Sequence, residues 1–242
     1  MIFIPAKYGS TRVYCKNFRS FYNKLSLLQI AIIRCVEAKC GPVVVSSENI
    51  SEVRLQLGLL PKKYSSGIIL HDRGEKLAKD PATILNVLVD FTKKYTGKLP
   101  SAIATVLPTS PFNSSNDIVK AFELFKVSSS DKLLSVSKSD KPPFNAWLFD
   151  DNPDGVIKLT FPENIYKLTQ STSCPETYFS NGCISIYDTK ALVGGYSFNS
   201  TQGFFMDRIS SLDIDYDYEF ELAQMVFLKW SKDSDILNNI SL

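Results

Sequence analysis

Through the first 140 residues, apolar runs of strand length alternate with segments of helical period, and that alternation constrains the fold more than anything else in the chain. Ile2–Pro5 reads as a buried strand. Ser26–Lys39 carries an apolar stripe at helical spacing, with Ser26 as its cap. Pro42–Ser46 is β-branched and strand-like, Ile50–Leu57 reads as a short helix, Gly67–Leu70 as a strand, and Pro81–Lys94 as a helix with Pro81 at its start. Ile103–Leu107, a helix from Ser115 or Asn116 to Phe125, and the strand Leu133–Ser137 complete the series. Such repetition predicts βαβ units, a mostly parallel sheet and a three-layer α/β/α sandwich. After Asp140 the regularity ends. Residues 140–180 are rich in Pro, Asn, Asp, Ser and Thr, with strand-like pieces only at Ala146–Phe149 and Val156–Leu159. That is too long for a simple connection, so an arm, lid or dimerisation insert is expected within a single domain over 1–242. Ile184–Tyr187 resumes the core, Asp217–Trp230 is a closing helix, and Ser231–Leu242 reads as a loosely held tail.

The bulk numbers exclude several classes. At 44% hydrophobic and 21% charged, the composition is that of a soluble globular chain with a sizeable core. A net charge of +2, with basic residues scattered, argues against nucleic acid as a partner. The five cysteines are odd in number and lack C-x-x-C spacing, which fits free thiols in a reducing cytoplasm. The chain starts directly on a strand, so no signal peptide is expected, and no apolar run approaches the roughly 20 residues of a membrane span.

The first strand opens into a loop carrying Lys7, Gly9, Ser10, Arg12, Lys16 and Asn17. A glycine-containing basic loop at the carboxyl edge of a strand is suited to a nucleotide's phosphates. Arg12 and Lys16 would neutralise phosphate oxygens while the backbone of residues 7–11 approaches closely; Ser10 would donate a hydrogen bond and Asn17 meet a phosphate or sugar oxygen. The loop matches neither the P-loop nor the dinucleotide pattern, and a merely solvated basic turn is the competing reading. Pro108-Thr109-Ser110-Pro111 follows another strand, so two hydroxyls sit in a proline-restricted loop at the same edge, or in an ordinary rigid turn. Asp213-Ile214-Asp215, read as a strand, projects both carboxylates to one side. Paired carboxylates plus substrate phosphates suit Mg²⁺; the alternative is an acidic helix entry, since Asp217 and Glu219 follow. Asn181-Gly182 is a turn dipeptide unless its amide touches a bound sugar or base. Arg73 begins a polar loop running to Asp80 and could reach a nucleobase carbonyl. The lone histidine, His71, is expected to be structural, with no Ser-His-Asp set around it.

Taken in order, IPAKYGSTRVYCKN, VVVSSEN, RGEKLAKD, LPTSPF, SNGCISIY and DIDYDYEF resemble the acylneuraminate cytidylyltransferases across about residues 1–225. A weaker kinship reaches the Kdo cytidylyltransferases through the opening motif. The resemblance implies a Rossmann-like nucleotidyltransferase fold, a cytoplasmic homodimer with an extended dimerisation arm, and a reaction joining CTP and a nonulosonic acid to give CMP-sugar and pyrophosphate with Mg²⁺. By position, it implies that Lys7, Ser10, Arg12, Lys16 and Asn17 hold the triphosphate, and that Arg73 and the loop through Asp80 read cytosine. Asp213 and Asp215 would bind metal and, with Lys16, serve catalysis, one of the two aspartates helping to deprotonate the anomeric hydroxyl. Leu107, Thr109, Ser110 and Asn181 would lie on the sugar side.

This sequence departs from the family pattern at Lys7, an arginine elsewhere; at Leu107, commonly glutamine; at Asn113, usually arginine; and at Ser46-Ser47-Glu48, usually S-T-D. The arginine expected to meet the substrate carboxylate corresponds to Ser171, with Lys167 nearby. Nucleotide handling thus reads as retained and sugar recognition as altered, which brings legionaminic, pseudaminic or another modified ulosonic acid into view. The alternatives are a Kdo-type synthetase and a catalytically silent nucleotide-binding relative.

Overall fold

Strand β1 (Ile2–Pro5) sorts its side chains to two opposite faces, and the layers of the molecule follow from that sorting. Ile2 and Ile4 enter one buried cluster, whereas Phe3 enters a second on the other face. The structure is a computed structural model that describes residues 1–10, 12–141, 143–149, 157–161 and 175–240. After β1 come the small paired strands β2 (Ser20–Tyr22) and β3 (Leu25–Ser26), then α1 (Leu27–Glu37), β4 (Val43–Ser47), α2 (Ile50–Gly58), α3 (Lys62–Ser65) and β5 (Ile69–Asp72). The middle of the chain forms α4 (Ile84–Lys94), β6 (Ala102–Val106), α5 (Ser115–Val127), β7 (Lys132–Lys138), β8 (Trp147–Phe149) and β9 (Ile157–Leu159). The last part forms β10 (Tyr178–Asp188), α6 (Thr189–Val193), β11 (Thr201–Phe205), α7 (Asp217–Trp230) and α8 (Ser234–Asn238).

Seven strands form one sheet in the order β11-β7-β10-β6-β1-β4-β5. All adjacent pairs are parallel except those of β10, which runs antiparallel to both β6 and β7. Residues of α1, α5 and α7 cover one face with Ile2 and Ile4; residues of α4 and α6 cover the other with Phe3, Val44 and Ile103. From β1 the chain moves outward through β4 to β5, then returns to place β6 on the other side of β1. That reversal creates a crevice beyond the carboxyl ends of β1 and β6, where ligands of open α/β sheets bind.

The helices start where local chemistry provides for their unpaired N–H groups. Ser26 with Gln29, and Ser114 with Asp117, form reciprocal capping boxes at α1 and α5. The helix expected from Pro81 begins instead at Ile84, because Thr83 and Asn86 form the capping box and leave Pro81 in the preceding loop. Asn181-Gly182 makes no hairpin turn: it sits inside β10, where the register with β7 shifts between Ser180 and Ser185. Gly182 has φ +74° there, a left-handed conformation that favours glycine, with Leu107 Cδ1 packed against the position. Asp213–Asp215 is assigned to no strand, although Ile214 alone of the three is fully buried. The tail is docked through residue 240: α8 buries Leu237, and Asp233 forms a buried ion pair with Arg34 of α1 at 3.3 Å. Hydrophobic residues at the end of the chain, Leu237 and Ile240, override its polar look.

Candidate active site

The loop after β1 is pinned by Val13 and Phe18, both buried, so the polar residues between and before them are held above the sheet edge. The loop after β6 is held from below. The Arg34 guanidinium donates to the Pro111 carbonyl while its Nε pairs with Asp233, which in turn accepts from Ser115 N–H at 3.0 Å. Burial lowers the Arg34 pKa to about 10, against the pull of Asp233, so this cation stays charged and rigidly placed. The third piece, Asp213–Asp215, is stitched to both loops. Ile214 N–H donates to Thr109 C=O at 2.9 Å, and Lys16 Nζ donates to Ile214 C=O.

These loops enclose a cleft of about 330 Å³ lined by Lys7, Ser10, Arg12, Lys16, Asn17, Arg73, Asp80, Leu107, Thr109, Asp213 and Asp215. Lys16 Nζ lies 3.3 Å from Asp215 Oδ1, and Arg12 approaches the same oxygen at 2.9 Å. Residues 12–16 and 213–215, almost 200 positions apart, therefore meet in one place. Arg73 is only 6% exposed; it is held by the Ser46 carbonyl, its Nε is unpartnered, and burial lowers its pKa to about 10 while Glu48 opposes the shift. Asn17 spends its amide N–H on the Lys7 carbonyl at 3.0 Å, closing the loop on itself, and its buried Oδ1 has no partner. Burial pushes the Asp213 pKa up, with Asp215 adding to it and the Thr109 hydroxyl and Lys16 drawing it back. Asp213 Oδ1 is buried and without a hydrogen-bond partner.

Three expectations need revision. The N–H groups of Tyr8 and Gly9 do not face the cleft unpaired: both donate to Glu48 Oε1, at 2.8 and 2.9 Å. Glutamate, one methylene longer than the expected aspartate, lets the carboxylate fill this backbone concavity, so side-chain cations carry the loop's anion-binding capacity. Thr11 lies outside the described residues. Ser110 does not reach the cleft; it is 1% exposed beneath it, where Asn113 donates to its carbonyl at 2.7 Å. Asn181 lines a neighbouring cavity instead, and its amide is consumed internally, donating to Ser137 Oγ at 2.8 Å and accepting from Ser135 Oγ and Cys183 N–H. The positions corresponding to Ser171 and Lys167 fall outside the described residues.

Other contributors carried no recognisable motif. Leu77, Ala82 and Ile84 form an apolar wall of the cleft, which only the fold around α4 reveals. His71, contrary to expectation, does sit in a Ser-His-Asp chain: Ser46 Oγ to Nδ1 at 2.9 Å and Nε2 to Asp90 at 3.0 Å. Ser46 is fully buried, so the chain braces β4, β5 and α4 under Arg73 and offers no nucleophile.

Among the described residues no group of three His, Cys, Asp or Glu gathers into a metal cluster, and no helix is long and apolar enough to cross a membrane. No family model matches the chain. Curated proteins do. The chain is 30% identical over 245 residues to the N-acylneuraminate cytidylyltransferase of Escherichia coli O18:K1:H7, covering 98% of this chain but 54% of that protein. It is 28% identical to the CMP-N,N'-diacetyllegionaminic acid synthase of Legionella pneumophila, covering 91% of this chain and 93% of that one. It is 26% identical to the post-translational flagellin modification protein B of Campylobacter coli, with 92% of each covered. The chain thus spans about half the length of the first relative and nearly all of the others. In fold it matches a CMP:2-keto-3-deoxy-manno-octonic acid synthetase solved with CTP, at TM-score 0.64 and 14% identity, covering 94% of this chain and 98% of that one. It also matches the 4-diphosphocytidyl-2C-methyl-D-erythritol synthase of Anaerococcus prevotii, at TM-score 0.62 and 13% identity, with 93% and 94% covered. Similarity along nearly its whole length, carried on a fold found in cytidylyltransferases, makes this chain a homologue of the acylneuraminate cytidylyltransferases.

Proposed function

We propose that the chain transfers a cytidylyl group from CTP to a nonulosonic, sialic-acid-like sugar, releasing pyrophosphate. The anomeric hydroxyl oxygen forms a new bond to the α-phosphorus as the bond to the bridging oxygen breaks, and the hydroxyl proton passes to the aspartate pair. The observation that carries this reading is the meeting of Arg12 and Lys16 with Asp215, beside Asp213, in one cleft at the switch point of the sheet. In-line phosphoryl chemistry is mostly placement and charge stabilisation. Lys7, Arg12 and Lys16 supply positive charge for the triphosphate. Arg73, its Nε free, together with Asp80 and the apolar wall, suits a flat polar base. Pyrophosphate release measured with CTP and a panel of N-acetylneuraminate, diacetyllegionaminate and 2-keto-3-deoxy-manno-octonate tests the reading. Turnover on a nine-carbon acid supports it, turnover only on the octonate assigns the Kdo-type alternative, and CTP binding without turnover on any acid assigns the silent one.

The residues fit Mg²⁺. A buried carboxylate oxygen without a partner, Asp213 Oδ1, beside a second carboxylate is the donor set of an ion otherwise held by water and phosphate. Asp213 and Asp215 would hold it, and it would offset phosphate charge and acidify the hydroxyl when bound. Arg12 and Lys16 both engage Asp215 Oδ1, so nucleotide phosphates that draw Arg12 away would open that carboxylate to the ion. Mg²⁺ added with CTP should raise the melting temperature of the wild type and not of Asp213→Asn.

A cytoplasmic homodimer is part of the same proposal. Tyr178 of β10 and Phe205 of β11 are both exposed and their rings meet edge to face at 6.1 Å, an apolar patch that supports a second copy covering it. Sedimentation at micromolar concentration tests it.

A further inference from the structure

Asp213 lines two cavities. Besides the nucleotide cleft, it closes a second one of about 580 Å³, shared with Phe179, Asn181, Arg208, Ser211 and Leu212. Arg208 is the one cation among the described residues lining it. The turn that presents Arg208 is built, not incidental. Asp207 accepts from Ile209 N–H at 3.0 Å, Ser210 N–H at 2.8 Å and Ser210 Oγ at 2.7 Å, and these bonds, against its burial, hold its carboxyl below the usual range. Ser211 Oγ donates to the Arg208 carbonyl at 3.3 Å and meets Ser137 Oγ at 2.7 Å, which ties the turn to Asn181 and the β10 bulge. The backbone of Arg208 is therefore fixed while its side chain stays 72% exposed, paired with Asp140, which is itself 53% exposed. An ion pair exposed on both sides is weak and exchangeable.

Resting on the cytidylyltransferase reading, the geometry points to Arg208 as the specificity-determining residue that seats the acceptor's carboxylate, leaving Asp140 to do so. A 2-ulosonic acid bears its carboxylate on the same carbon as the attacking hydroxyl. The group that receives the carboxylate must then face the cavity that Asp213 closes, and a guanidinium offers the planar fork a carboxylate needs. Ser171, where the family resemblance expects an arginine, supplies no charge. Arg208, in the turn after β11, would take that role.

The test compares wild type, Arg208→Gln and Arg208→Lys by pyrophosphate release, with separate KM values for CTP and for each free acid of the panel, and with the methyl ester of the best acid. Arg208→Gln is expected to raise the acid's KM by about 10- to 100-fold, while the KM for CTP moves by no more than about twofold. Arg208→Lys should recover part of the loss, and the preference for acid over ester should collapse in Arg208→Gln. An unchanged acceptor KM, or equal rises for acceptor and CTP, overturns the assignment with the transferase reading intact. A wild type that turns over none of the acids overturns both.

Discussion

The two sides of Asp213 are built by different means. On the nucleotide side, the loops after β1 and β5 bring buried cations to one cleft, with Lys16 at 8% exposure and Arg73 at 6%. On the other side, a β-bulge and one turn are tied by a chain of neutral groups running Ser135–Asn181–Ser137–Ser211, with the exposed Arg208 at its rim. Buried charge is costly to leave unpaired and hence fixes geometry strongly, and the satisfied hydroxyl chain holds its own turn; what can exchange is the exposed Arg208–Asp140 pair at the rim. On the proposed reading, the first side holds the nucleotide donor and the second receives the sugar acceptor.

The largest effect should fall on chemistry. Asp215→Asn removes the carboxylate that Arg12 and Lys16 converge upon and is expected to lower turnover by at least about a thousandfold with the fold retained. Pyrophosphate release and circular dichroism measure the two quantities; near-normal turnover would remove the nucleotide side's claim to the reaction. Next in size is stability. Asp233→Ala strands the Arg34 guanidinium at 2% exposure beneath the Pro111 loop and should cost about 3–5 kcal/mol in denaturant unfolding. A loss below about 1 kcal/mol would mean that this loop is not held by buried charge.

The same contrast governs what the sequence disclosed. Ile2–Pro5, the Ser26 cap and the Asp217–Trp230 helix were legible because period and capping chemistry are local. Lys16 and Asp215 were legible as separate motifs, and only the resemblance predicted their convergence. The hydroxyl chain was not legible: Ser135, Ser137 and Ser211 look like ordinary polar residues until the β10 bulge aligns them. Asn181-Gly182 read as a turn since the dipeptide favours positive φ wherever it occurs, and nothing local tells a bulge from a hairpin. The docked tail escaped notice because Asp233 gains its meaning from Arg34, far away in sequence.

A smaller, selective effect should come from the hydroxyl chain. Asn181→Ala leaves Ser135 Oγ, Ser137 Oγ and Cys183 N–H without their shared partner, and about 1–3 kcal/mol should be lost. Since that chain supports the Arg208 turn and not the basic loop, the acceptor's KM should rise while the KM for CTP stays put. If CTP affinity falls just as far, the two sides are mechanically one, and the division drawn at Asp213 is wrong.

The smallest effect is a pH dependence confined to the nucleotide side. His71, the chain's one histidine, is 4% exposed and sits against Ser46 of β4, Asp90 and Lys94 of α4, and the rings of Phe3 and Phe91, with Arg73 nearby. Burial lowers its pKa from the usual 6.5, against Asp90, which pulls it up, while Lys94 and Arg73 push it further down. A histidine whose pKa is depressed on folding binds protons more readily in the unfolded chain. Stability contributed by the neutral ring is therefore complete above about pH 6.5 and declines as pH falls from there toward the folded value. The melting temperature should drop between pH 7 and pH 5.5, and His71→Asn should flatten the drop while lowering the plateau. Because no second histidine exists, a drop of unchanged steepness in His71→Asn would assign the titration to carboxylates, and the brace under Arg73 would lose its part in the acid sensitivity of the fold.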